Sequence, residues 1–103
     1  MDTHPLQSGE ALAASVQKTP HRVSLADLEA KVVGEEYLHP AVMPHMTICV
    51  LMLANGFSVV GTSAPADPAN FDEAAGREFA RSDALKKVWP LEGYLLRERL
   101  AAQ

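Results

Sequence analysis

Apolar positions concentrate between Met46 and Ser63, MTICVLMLANGFSVVGTS, where two β-rich runs flank Asn55-Gly56. Asn-Gly between two such runs is the strongest short-range hairpin signal, because a type I′ turn needs two residues that tolerate positive φ. A two-residue loop pairs Ala54 with Phe57, Leu53 with Ser58, Met52 with Val59, Leu51 with Val60, Val50 with Gly61 and Cys49 with Thr62. One face then carries Ile48, Val50, Met52, Ala54, Phe57 and Val59, and the other Cys49, Leu51, Leu53 and Val60. Both faces are apolar, and a lone two-stranded hairpin is marginal in water. The pattern therefore demands cover on both sides.

Upstream, Ser24 with Asp27 three positions on is a relative of the capping box, and it opens a helix whose Leu25, Leu28 and Val32 share one face. Gly34 reads as its C-terminal glycine. Glu35 to His39 is extended or irregular, and the prolines of His39–His45 make that segment a loop feeding the hairpin. Residues 1–22 read as a flexible arm, since its Ala-rich stretch Glu10–Lys18 is too short to hold a helix alone; ordering it requires docking. Downstream, Asp67-Pro68 and Asn70 with Glu73 are cap candidates. A helical pattern then runs from Phe71 to Val88, Pro90 must kink or break it, and Leu91 to Ala101 forms a second helix.

On a wheel of about 100° per residue, Phe71, Ala74, Ala75, Leu85 and Trp89 cluster, with Phe79 and Val88 at the edges. Asp72, Glu73, Gly76, Asp83 and Lys87 lie opposite, on the expected solvent face. Glu78, Arg81, Ser82 and Lys86 nevertheless fall in the apolar sector, with Arg77 beside it. Two arrangements fit. Either the cationic stems snorkel over the core and Glu78 pairs along the helix, or this face lines a pocket or subunit interface. In the second, Arg77, Arg81 and Lys86 meet an anion while Phe57, Phe79 or Trp89 stacks on a flat ring. Backbone N–H groups at Asn70–Glu73 add to such a site, weakened by Asp67, Asp72 and Glu73.

The 103 residues leave room for one domain, 23–103, beyond the arm. A net charge of −4 excludes a general nucleic-acid binder but not a small anionic ligand held by a few cations. The single cysteine, Cys49, reads as a buried hydrophobe, and a reducing cytoplasm fits. The apolar run at 46–54 is too short to span a bilayer, and no signal peptide is evident. His4, His21, His39 and His45 are dispersed, no Cys/His spacing suits a metal, and no nucleophile elbow or phosphate loop occurs. The chain is expected to be no enzyme and to need no cofactor.

One resemblance covers nearly everything from 22 to 100. Asn55-Gly56-Phe57, Val60-Gly61, Ser63-Ala64, Asp67-Pro68-Ala69-Asn70-Phe71-Asp72, Gly76-Arg77, Ala80-Arg81 and Lys87–Leu96 resemble small proteins of tailed phages and prophages, usually catalogued as gene-product-49-like. The VSLADLEAKV helix, Glu36-Tyr37 and Thr47–Leu51 fit as well. Pro65, where family members commonly have a cysteine, and Ser82-Asp83, in place of an acid–Asn pair, depart from the pattern. The hairpin and long helix are also similar to anti-Thoeris sponge proteins, which hold cyclic ADP-ribose isomers or related cyclic nucleotides between subunits. That similarity implies ligand contacts at Phe57, Asp67 or Asn70, and Arg81 with Arg77; the wheel adds Lys86.

Together these predict an α+β domain with an N-terminal helix, an antiparallel hairpin at about 46–63, and a long C-terminal helix kinked near Pro90. A symmetry mate is expected to cover the second hairpin face in a homo-oligomer. The expected role is a cytoplasmic phage accessory protein that sequesters a cyclic nucleotide-type immune signal. The alternative is a structural or protein-interaction module with no small-molecule ligand.

Overall fold

The computed structural model describes residues 5–103; the start of the expected arm, with His4, lies outside the described residues. The elements are α1 (Pro5–Ser15), α2 (Leu25–Lys31), β1 (Val32–Leu38), β2 (Thr47–Leu53), β3 (Ser58–Ser63), a 3₁₀ turn (Pro68–Asn70), α3 (Glu73–Leu85) and α4 (Val88–Ala101). The expected α+β architecture is present, with a third strand. β2 pairs antiparallel with both β1 and β3, so the apolar run that reads as half of a hairpin is the central strand of a three-stranded sheet.

Strand β1 replaces the expected end of the first helix. The capping box closes as expected: Asp27 N–H donates to the Ser24 hydroxyl (3.1 Å) and Ser24 N–H to the Asp27 carboxylate (2.8 Å). The helix stops at Lys31, because β-branched Val32 and Val33 pass directly into pairing with β2, with Val32 opposite Leu53. Gly34 is thus a strand residue following a bulge, not a helix C-terminus.

The hairpin register differs from expectation by one residue. The loop is Ala54-Asn55-Gly56: Gly56 N–H donates to the Leu53 carbonyl (2.8 Å) and Leu53 N–H to the Phe57 carbonyl (2.7 Å). Only Gly56 takes positive φ (+90°), as in a three-residue loop closed by an αL glycine rather than a type I′ turn. The Asn55 side chain accepts from Phe57 N–H at 3.0 Å and holds the loop. Val59 therefore faces Leu51 and Val60 faces Val50, and a slip of one residue exchanges the faces of β3. Thr47, Cys49, Leu51, Leu53, Val59 and Gly61 are buried together, whereas Met52 and Val60 are left exposed. The chain covers one face of the sheet, not two.

The cover is α3, and it lies on a face the helical wheel misassigns. Gly76, Ala80 and Ala84, four residues apart, are buried with Leu85, while Ala74 and Phe79 are exposed. Hydropathy underweights such a stripe because Gly and Ala are only weakly apolar. Their value is close approach: a Cβ on Gly61 would collide with the Ala80 carbonyl oxygen and the Ala84 backbone nitrogen. Asp83 and Lys87 are not idle on a solvent face. Asp83 accepts from Thr62 N–H (3.0 Å) and the Lys87 ammonium donates to the Val60 carbonyl (2.6 Å), closing the free edge of β3.

The helical break falls at Lys86-Lys87, with Pro90 inside the first turn of α4. Pro90 has no N–H for the carbonyl four residues back, so the chain re-enters helix where a proline is tolerated. Trp89 Nε1–H donates to the Val23 carbonyl (3.1 Å) and anchors this turn.

Where residues 1–22 read as a flexible arm, much of the segment is a docked helix. Leu6 of α1 is buried in the core, and Glu10 accepts from the Arg22 guanidinium (2.7 and 3.1 Å) and from Leu25 N–H (3.1 Å). This is the tertiary support that a helix of that length needs.

Candidate functional site

The register that pairs Thr47 with Ser63 ends the sheet beneath the start of α3. Two side-chain caps then steer the chain. Asp67 accepts from Ala69 N–H (2.9 Å) at the 3₁₀ turn, and Asp72 accepts from Ala75 N–H (2.9 Å) at the N-terminus of α3. Between them Asn70 and Phe71 are delivered onto the helix. A cleft of about 200 Å³ results, lined by His45, Ser63, Pro65, Asn70, Phe71 and Phe79 among others. Gly76 forms part of its wall, and a Cβ there would stand 2.7 Å from Thr47 Oγ1.

Beside the cleft runs a line of charge. His39 sets Nδ1 against the Met46 carbonyl (2.8 Å) and Nε2 against the Glu73 carboxylate (3.0 Å), and its ring meets Phe71 edge-on at 5.8 Å. Both neighbours of the imidazole are acceptors, which favours the doubly protonated ring and raises its pKa, the Met46 carbonyl most and Glu73 next. Glu73 also accepts from Arg77 (2.8 Å), and Arg77 with His39 holds its carboxyl below the ordinary range. The Arg77 guanidinium lies 4.8 Å from the Tyr37 ring centroid, a cation–π distance. Tyr37 O–H donates to Glu35 (2.6 Å), Glu35 accepts from Arg81 Nε (3.0 Å), and Arg81 forks onto Glu29 (2.7 and 3.1 Å). Burial and the Glu35 carboxylate push the Tyr37 phenol well up, while Tyr37 and Arg81 lower Glu35. Burial raises the Cys49 thiol, the opposite of what activates a nucleophile.

The expected site residues do not converge on one chain. Asn70 lies in the cleft, and Asp67 is occupied as a cap beside it. Arg77 is one turn along, over Tyr37. Arg81 is clamped by two carboxylates from α2 and β1, so the partner its position on the apolar face demands is internal. Lys86 is largely exposed and lies 3.5 Å from Asp83. Phe57 stands at the opposite end of the hairpin, beside Leu91 and Tyr94. The sequence reading omitted His45, Ser63 and Phe71 from the site. Phe71 looks like a core residue by period, and only the caps around it turn it to the cleft. Glu29 and Glu35 lie 52 and 46 residues from Arg81, beyond any local signal. Among the described residues no group of three His, Cys, Asp or Glu side chains could hold a metal, and no helix is long and apolar enough to cross a membrane.

The model of a phage protein family, that of N4 Gp49 and phage Sf6 gene 66, matches residues 23–100. Neither a curated protein nor a solved structure matches the chain.

Proposed function

The chain belongs to the N4 Gp49/phage Sf6 gene 66 family of phage proteins, and from that premise we propose that it is a non-enzymatic accessory protein acting by binding. Its ligand is a small, ring-bearing anion of the cyclic nucleotide or cyclic ADP-ribose class, and its role in the host cytoplasm is to blunt defence by sequestering that signal. The cleft at the start of α3 carries this reading. Phe71 and Phe79 offer faces for a base, Asn70 and Ser63 offer hydrogen-bonding edges, and His45 stands on the rim. Arg77 supplies charge nearby: its carboxylate partner Glu73 is half-exposed on the same helix, and solvent-screened pairs of this kind are weak, so an anion displaces it cheaply. Arg81 is scaffold in this reading, holding α3 to α2 and β1. Phe57 and Lys86 enter the site only from a second copy in a homo-oligomer.

Isothermal calorimetry with cyclic ADP-ribose isomers and cyclic di- and trinucleotides tests the proposal. The expected result is binding of at least one ligand, weakened tenfold or more by Phe71→Ala and by Asn70→Ala. No binding by the wild type sinks sequestration of these ligands, and binding that ignores both substitutions moves the site elsewhere. One observation favours the alternative, an interaction module with no small-molecule ligand: the double carboxylate clamp on Arg81 leaves that cation no need of an external anion.

A further inference from the structure

We propose that His39 is a proton-dependent clasp. Its imidazolium fastens the β1–β2 loop, residues 39–46, to the start of α3, and its deprotonation releases the loop and with it one side of the cleft. This deepens the ligand reading, because it concerns the same cleft, but its test needs no ligand, so the two fail separately.

The loop has little else to hold it. Two turns order it internally, with Met43 N–H donating to the Pro40 carbonyl (3.0 Å) and Met46 N–H to the Met43 carbonyl (2.9 Å). Its apex is bare, Val42 being 93% exposed, and Pro40 and Pro44 contribute no N–H. Among the described residues, the hydrogen bond that ties this loop to α3 is the one from His39 to Glu73. The His39 ring also meets Phe71 edge-on. Phe71 ahead of α3 and His45 in the loop both line the cleft, so the clasp joins two of its walls.

The chemistry of the ring makes this tie depend on one proton. Nδ1 faces the Met46 carbonyl at 2.8 Å and Nε2 the Glu73 carboxylate at 3.0 Å, and neither neighbour offers a hydrogen. The imidazolium has two N–H donors and satisfies both, whereas a neutral imidazole has one donor and one lone pair. Deprotonation therefore sets a lone pair against an acceptor on one side or the other. Keeping the proton on Nδ1 closes the loop but parts it from α3; keeping it on Nε2 holds α3 but opens the loop. Glu73 loses little by the separation, since it keeps Arg77 at 2.8 Å. The charged groups acting on the ring are Glu73, which favours the proton, and Arg77, which opposes it, both from α3. By linkage, a ligand that requires the clasped cleft takes up a proton as it binds.

Carbon-13 relaxation at the Cα atoms of Val42, Met43 and His45 in the full chain, without ligand, tests the clasp from about pH 5 to about pH 8. The wild-type loop should be rigid at the acid end, with order parameters of about 0.85, and should fall below about 0.6 at the alkaline end. The midpoint should coincide with that of the His39 imidazole. His39→Gln, whose single amide nitrogen cannot reach both acceptors, should leave the loop mobile throughout. Glu73→Gln should do the reverse: its amide turns to accept from the imidazolium or to donate to the neutral ring, so the loop stays rigid throughout. His45→Gln should keep the transition, which separates the clasp from the other histidine of the loop. A wild-type loop of equal order at both ends overturns the proposal. So does a transition that survives in His39→Gln or in Glu73→Gln, or one that disappears in His45→Gln.

Discussion

Where α3 crosses the sheet, the residues that meet are among the smallest in the chain: Gly61 and Gly76, with Ala80 and Ala84. Where α4 meets the hairpin tip, they are among the largest, Phe57, Tyr94, Leu91 and Leu95, and they remain in solvent. This inverts the usual division, in which bulky apolar side chains make the core and small ones are incidental. The α3 contact works because backbone lies against backbone, so dispersion contacts are dense and the remaining core residues, Leu28, Leu51, Leu85 and Val88, close around the seam. The two regions therefore answer differently to substitution: one tolerates almost no added volume, and the other loses little by giving volume up.

The largest expected effect follows at the seam. Gly61→Val places branched carbons where the Ala80 and Ala84 backbone already sits, and it should abolish cooperative thermal unfolding. Phe57→Ala at the tip should stay within about 0.5 kcal/mol of wild-type stability under monomeric conditions. A Gly61→Val protein with wild-type Tm would break the comparison outright. Next, Ala80→Leu should cost about 1–3 kcal/mol in urea denaturation, by overpacking, with Tyr94→Ala as the near-neutral counterpart on α4.

Arg81 and Arg77 sharpen the contrast along a single helix. Arg81→Met strands Glu29 and Glu35 near each other and should cost about 1–2 kcal/mol. Arg77→Met removes an exposed i,i+4 pair and should leave stability nearly unchanged. Equal losses would mean that the clamp is not what sets α3 on β1. Thr47→Val should stabilise by about 1 kcal/mol, since the Thr47 hydroxyl is fully buried and has no hydrogen-bond partner among the described residues. A destabilised Thr47→Val variant would contradict that accounting.

The smallest effect is a matter of pH. His39 has a raised pKa, so its contact with Glu73 contributes fully below the ordinary histidine value and fades as pH rises through the raised one. Glu73 has a lowered pKa, so its contribution is present above the ordinary glutamate value and is lost as pH falls through the depressed one. The contact is therefore complete only between those two titrations. Nuclear magnetic resonance of the His39 imidazole should show a midpoint above about 6.5, moving down in Glu73→Gln; a midpoint indifferent to that substitution would remove Glu73 from the account.

Several of these features were readable in the chain before any coordinates. The Ser24–Asp27 capping box, the Asp67 cap before Pro68 and the glycine in the hairpin loop are local devices, and each formed where its residues stand. Pro90 announces a helical break because a missing N–H is a property of the residue itself, although the break lies upstream at Lys86-Lys87. The cleft is half legible: Asn70 stands out by its capping pattern and by the resemblance, and Phe79 as a stacking candidate, whereas Phe71 reads as core by its period and His45 as a loop residue. Whether a helical aromatic points inward depends on which face the sheet accepts, and hydropathy could not register that the accepted face is Gly76, Ala80 and Ala84.

What the sequence by itself determined is the capped start of α2, the hairpin around its loop glycine and two helices after it, because caps, turns and prolines act over three or four residues. Tertiary structure alone decided the register of β3, the role of Val32–Leu38 as a third strand, and the internal partners of Arg81. Each of these depends on groups far apart in the chain, whose meeting is set by backbone fit across the sheet and by the desolvation cost of leaving a charge unpaired. Neither quantity is written in any single stretch of residues.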